Sequence, residues 1–241
     1  MIKNLKKNKI KVIIIIIILI IYFNRIIVDE MKIKNYNEFK YNYKEYDNFI
    51  TEKERIYFLK NIEKNKFIED NPLNDYFKNT KGLLIEFSRS NDYEEFKVNG
   101  LNFLYNYYKK IRKPYATDFI LNILIIDAIN EKDNNIFKKN SVKYHHDTTL
   151  NLVDNSEFIK KDIVPECVSV LYIDLPKNFK KGNLRLYKFF KWYYIGKIKP
   201  EKRKLVEFNG KILHGVEKII DTDNNNGRRI SIVLEQYIKK F

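Results

Sequence analysis

Residues 204–216, KLVEFNGKILHGV, and residues 227–234, GRRISIVL, decide how this chain is read. Each holds short apolar runs of strand length, rich in β-branched and aromatic side chains. Working outward, the same texture begins near Asp118. The runs 119–126, 168–173, 184–187, 204–208, 212–216 and 230–234 follow one another with polar turns between, and that spacing predicts a sandwich or barrel-like β body. Residues 223–227, rich in Asn, read as a surface loop. Upstream the pattern differs. Residues 29 to about 80 carry charge and aromatics with no run long enough for a buried strand. Residues 51–66 read as a helix opened by a Thr51/Glu54 capping box. Residues 83–87 read as a strand, and 98–111 as one amphipathic helix that stops before Pro114.

The 241 residues suit one catalytic domain plus a small appendage, and 44% hydrophobic content with only 7 Gly and 5 Pro excludes a disordered or fibrous chain. The formal charge of +15 comes from Lys scattered among Asn, Ile and Tyr, a solvated basic surface rather than a nucleic-acid stripe. Cys167 is the single cysteine, so no intramolecular disulfide and no cysteine-based zinc site can form, and it reads as a small core residue. Lys3, Lys6, Lys7, Lys9 and Lys11 precede an apolar run over residues 12–23 that resumes after Arg25 and reaches Val28. Residues 10–28 approach the length of a membrane-spanning helix, with Arg25 placed to snorkel and the basic side cytoplasmic. A cleaved signal peptide is the alternative; no small-residue cleavage site follows, which favours an uncleaved anchor with the remainder on the lumenal or extracytoplasmic side. The chain thus divides into an anchor (1–28), a helical support region (29–116) and a β-rich core (117–241).

All three histidines fall in the β-rich part, two in Tyr144-His145-His146-Asp147 and one in Leu213-His214-Gly215. In an extended segment His145 and Asp147 project to one face and His146 to the other. With His214 from a distant strand they make a two-histidine, one-carboxylate set, which leaves positions open on Fe(II) for a bidentate cosubstrate and dioxygen; zinc suits the same ligands. A 2-oxo acid such as 2-oxoglutarate chelating that metal leaves a far carboxylate that needs a fixed cation. A guanidinium matches it best. On the strand 228–234, Arg229 and Ser231 share one face while Ile230, Ile232 and Leu234 share the other.

With these residues in hand, 118–241, about half of the chain, resembles the double-stranded β-helix (jelly-roll) core of the 2-oxoglutarate oxygenases, nearest the prolyl-hydroxylase-like branch. The pieces occur in family order: His145-His146-Asp147, the strand Val170-Leu171-Tyr172-Ile173-Asp174, the Gly-x-Leu strand Gly182-Asn183-Leu184, then Pro200, Lys204 to Phe208, His214 and Arg229-Ile230-Ser231. The resemblance implies a jelly roll for that part, and with the upstream readings the chain is expected to be an α+β protein in which N-terminal helices buttress the jelly roll behind a transmembrane helix. It implies iron ligation by His145, Asp147 and His214, and binding of the 2-oxoglutarate far carboxylate by Arg229, Ser231 and Tyr172. Fe(II), 2-oxoglutarate and dioxygen would then hydroxylate an unactivated C–H bond, on a protein or peptide side chain, giving succinate and carbon dioxide, with ascorbate as a candidate reductant. Two departures stand out: the stretch from His214 to Arg229 is long, and arginine replaces the lysine frequent in prolyl hydroxylases.

Three other readings compete. A nucleic-acid dealkylase of the same fold fits the charge, but such enzymes carry a second arginine six residues after the first, where this chain has Glu235. A noncatalytic β-barrel explains the strands alone, and a zinc hydrolase leaves Arg229 without a role. Phe189, Phe190, Trp192, Tyr193 and Tyr194 form an aromatic cluster that reads either as core packing or as a hairpin over the site mouth.

Overall fold

Strand formation in the C-terminal part follows the apolar runs, with further strands where the sequence is more polar. The computed structural model describes residues 42–69, 80–131, 140–147, 164–188, 193–223 and 225–238. In chain order they form β1 (Tyr43–Tyr46), α1 (Glu52–Lys64), α2 (Lys66–Glu69), β2 (Thr80–Ser88), α3 (Asp92–Val98), a 3-10 turn (Asn102–Leu104) and α4 (Tyr105–Ile111). There follow β3 (Asp118–Asp127), β4 (Ile129–Asn130), β5 (Asn140–His145), β6 (Cys167–Asp174), β7 (Phe179–Lys181) and β8 (Leu184–Lys188). The last are β9 (Tyr193–Ile198), β10 (Leu205–Phe208), β11 (Leu213–Glu217), β12 (Ile219–Asp221) and β13 (Arg228–Tyr237).

A six-stranded antiparallel sheet runs β1-β10-β6-β13-β3-β2, a four-stranded antiparallel sheet runs β5-β11-β8-β9, and a small third sheet runs β4-β12-β7. Period-two alternation sorts the large sheet into two faces. On one face Ile230, Ile232, Leu234, Leu121 and Ile123 pack with Phe58, Ile62, Phe96 and Tyr108 of the helices. On the other, Val170, Tyr172, Val206 and Phe208 pack with Val142, Leu184, Leu186 and Val216 of the four-stranded sheet. The layers are therefore helices, large sheet, small sheet, with the two sheets facing each other as a jelly roll.

The Thr51/Glu54 capping box is present at α1: Glu54 N–H donates to the Thr51 hydroxyl at 3.2 Å and Thr51 N–H to the Glu54 carboxylate at 2.7 Å. The single helix expected over 98–111 is instead two pieces. Gly100 has φ 65°, Leu101 N–H donates to the Phe96 carbonyl at 2.7 Å and Gly100 N–H to the Lys97 carbonyl at 3.1 Å, a Schellman stop that ends α3 before α4 begins. A second correction concerns residues 29 to about 80. The sequence predicts no strand in this stretch, but Tyr43–Tyr46 adds one to the edge of the large sheet against β10. Its four residues, two of them charged, hold no apolar run because an edge strand need bury only part of one face. Strands β4, β5, β7, β9 and β12 were likewise not expected. Residues 1–28, Phe189, Phe190 and Trp192 lie outside the described residues; among those described, no helix is long and apolar enough to cross a membrane.

Candidate metal centre and anion pocket

Strand β11 lies between β5 and β8, and its register sets His214 directly opposite His145 on one side and Leu186 on the other. His145 is the last residue of β5, and the chain leaves the sheet there, so Asp147 turns back toward both imidazoles. One Asp147 oxygen is 3.2 Å from His145 Nε2 and the other 3.4 Å from His214 Nε2. One ligand atom from each of the three side chains lies within 4.8 Å of the others. His146, between them in sequence, is exposed.

Backbone carbonyls fix the tautomers. His145 Nδ1 is 2.8 Å from the Lys143 oxygen and His214 Nδ1 is 3.0 Å from the Ile212 oxygen. A carbonyl only accepts, so each Nδ1 carries a proton and each Nε2 is the ring nitrogen turned toward Asp147. Burial pushes the His214 imidazole down to about 4 against the pull of the Asp147 charge. Burial also works against an ionised Asp147, but His214 and His145 outweigh it and hold the carboxyl below its ordinary value. For His145 burial disfavours the cation while the Asp147 hydrogen bond favours it, with a net rise. A carboxylate and a neutral His214 are therefore already in the ionisation states that bind a metal. Phe208, fully buried, packs edge-on against His214 at 4.9 Å and keeps that flank dry.

Gly215 follows His214 on β11, close against β5. A Cβ there would stand 2.9 Å from Tyr144 Cδ1 and 3.1 Å from the Val142 carbonyl oxygen. Gly215→Ala should therefore push β5 from β11 beside the paired histidines, costing about 1–3 kcal/mol of stability. Thermal melts and Zn(II) affinity check this; a melt and a metal affinity equal to the parent's would show that the strands do not meet so closely.

The second cluster sits on the inward face of the large sheet. Ser231 on β13 is opposite Tyr172 on β6 and Leu124 on β3, so the Ser231 and Tyr172 side chains share a face. Arg229, two residues earlier on that face, lays its guanidinium over the Tyr172 ring at 4.7 Å. It is 1% exposed, and its one hydrogen bond among the described residues runs from Nη1 to the Gly182 carbonyl at 3.3 Å. Arg229 Nε, the Tyr172 hydroxyl and the Ser231 hydroxyl are all buried without a hydrogen-bond partner among the described residues. An arginine keeps its charge even where burial lowers its pKa, as it does here, and a desolvated cation with no anion is a costly arrangement. A buried guanidinium with two hydroxyls on the same sheet face is chemistry suited to an anion such as a carboxylate. Arg228 points the other way and pairs with Glu63 on α1. Glu235, further along β13, accepts from the Tyr237 hydroxyl.

All six residues singled out in the sequence thus fall into two groups on facing or adjoining strands: His145, Asp147 and His214, and Arg229, Ser231 and Tyr172. Reading the sequence missed the Phe208 contact and the Gly182 carbonyl. Phe208 could have been found from its inward parity on 204–208; nothing in a sequence marks a carbonyl as an acceptor.

No family model matches the chain, and no curated protein matches it. Among solved structures it is similar to a prolyl-4-hydroxylase from Pseudomonas putida, at 14% identity over 83% of this chain and 95% of that one, with a TM-score of 0.50. It is also similar to the protein named IDO from Bacillus thuringiensis, at 12% identity over 85% and 94%, with a TM-score of 0.50. At such identities the likeness speaks of architecture, and the chain has a prolyl-hydroxylase-like jelly-roll fold.

Proposed function

We propose that this protein is an Fe(II)- and 2-oxoglutarate-dependent dioxygenase that hydroxylates a protein or peptide side chain. The observation that carries the reading is the coexistence, in one jelly roll, of a two-histidine, one-carboxylate cluster and a buried arginine whose neighbouring hydroxyls have no partner among the described residues. His145, Asp147 and His214 would hold the metal through two Nε2 atoms and a carboxylate oxygen. Arg229, Tyr172 and Ser231 would bind the far carboxylate and so orient the 2-oxo acid end toward the metal. The chemistry that iron and 2-oxoglutarate supply together, with ascorbate as the proposed reductant, is activation of dioxygen for insertion into a C–H bond. The shared fold with a bacterial prolyl-4-hydroxylase supports the choice of a peptide side chain. The nucleic-acid branch needs a second arginine where Glu235 lies buried and bonded to Tyr237.

Succinate formation is the discriminating assay. It should require both Fe(II) and 2-oxoglutarate, and Zn(II) should not replace iron; turnover supported by Zn(II) without succinate would point to a hydrolase instead.

The proposal extends to topology. Five lysines ahead of the apolar run support a single-pass anchor over residues 10–28 with a cytoplasmic amino terminus and the oxygenase domain on the opposite side. In sealed membranes with the cytosolic face outward, added protease should spare that domain. Complete digestion without detergent would contradict the orientation.

A further inference from the structure

The third sheet lies next to Arg229, and its turn into β8 carries two successive residues in the left-handed region, Lys181 at φ 63° and Gly182 at φ 79°. A side chain is strained there, and a Cβ on Gly182 would stand 3.2–3.3 Å from three atoms of Ile219. The turn is clamped from both sides. Gly182 N–H donates to the Lys218 carbonyl at 3.1 Å, Asn183 N–H to the Glu217 carboxylate at 3.3 Å, and Glu217 N–H returns to the Asn183 carbonyl at 2.9 Å. Its conformation aims the Gly182 carbonyl at Arg229 Nη1. A guanidinium has five N–H donors in a rigid plane, and a carboxylate takes two of them on one edge. A carbonyl fixed on Nη1 sets the rotation of that plane and leaves Nε free, the atom that lacks a partner.

We propose that Gly182 is a positioning residue for the anionic ligand, its main-chain carbonyl orienting the Arg229 guanidinium. This rests on the reading of Arg229 as the 2-oxoglutarate carboxylate partner. The glycine is required by its backbone angle, and its effect on binding passes wholly through Arg229.

Two measurements on the full chain test this. The first is a double-mutant cycle on 2-oxoglutarate binding, followed anaerobically by calorimetry with Mn(II) in the metal site. Gly182→Ala should weaken 2-oxoglutarate by about tenfold, the worth of one oriented hydrogen bond, with Mn(II) affinity unchanged. Gly182→Asn, which tolerates left-handed angles better but carries the same Cβ against Ile219, should recover part of the affinity. In an Arg229→Ala background Gly182→Ala should cost nothing further; an equal loss with and without Arg229 overturns the proposal. The second measurement needs no change at Gly182 and serves if Gly182→Ala does not fold. Gly182-Asn183 is the only Gly-Asn pair in the chain. Carbonyl-13C glycine with 15N asparagine therefore gives a single carbonyl-amide NMR correlation. Its carbonyl shift should move upfield when Arg229 is replaced by Ala, reporting the lost hydrogen bond. An unmoved signal overturns the proposal. If the parent itself fails to bind 2-oxoglutarate with Mn(II) present, while the carbonyl signal does respond to Arg229, the functional reading fails and the positioning contact stands.

Discussion

Replacing Arg229 with alanine is expected to raise the apparent KM for 2-oxoglutarate by about thirtyfold to several thousandfold while leaving Fe(II) affinity unchanged. The range follows from the cost of removing one partner of a desolvated, hydrogen-bonded ion pair, on the order of 2–5 kcal/mol. Arg229 is fully buried, and without it Tyr172 and Ser231 offer only two neutral hydroxyls to a carboxylate. Arg229→Lys should recover part of the loss, since the charge returns but the planar fork does not. Arg228→Ala is the control. Its side chain faces the helices and pairs with Glu63 in a partly exposed ion pair worth at most about 1 kcal/mol. Succinate production against 2-oxoglutarate concentration reads all three. A parental curve for Arg229→Ala with a displaced one for Arg228→Ala would place the register of β13 off by one.

The second large effect concerns the metal. His145→Ala, Asp147→Ala and His214→Ala should each lower iron affinity by more than about a hundredfold, beyond what loss of a supporting contact costs, and abolish turnover. His146→Ala should retain most of both, since that side chain is exposed. Circular dichroism and metal titration separate loss of a ligand from loss of fold. A dead but folded His146→Ala beside an active His145→Ala would show that the wrong histidine has been assigned to the site.

Much of the two main sheets was legible in the sequence because buried strands carry continuous apolar or alternating runs. β3, β6, β8, β10, β11 and β13 all announce themselves this way. β1 and β7 do not, since strands at sheet edges need few apolar residues, and β5 was hidden because it reads Asn-Ser-Val-Lys-Tyr-His. Gly100 was read as part of a helix, although a glycine followed by a buried Leu101 is the ordinary sequence of a Schellman stop. The alternation about Arg229 was readable because Ile230, Ile232 and Leu234 need one continuous apolar face. What sequence could not show is the third dimension of the site. The approach of Asp147 to both histidines and the turn that brings Gly182 to Arg229 depend on which strands become neighbours, and pairing is not encoded by any local pattern.

The most direct measurement is anaerobic addition of 2-oxoglutarate to the Fe(II)-loaded protein, watching for the visible metal-to-ligand charge-transfer band of the chelate. The parent should develop the band only when both Fe(II) and 2-oxoglutarate are present, and Arg229→Ala should need far more 2-oxoglutarate to reach it. An iron-loaded parent that never develops the band, at any 2-oxoglutarate concentration, would contradict the assignment of this site.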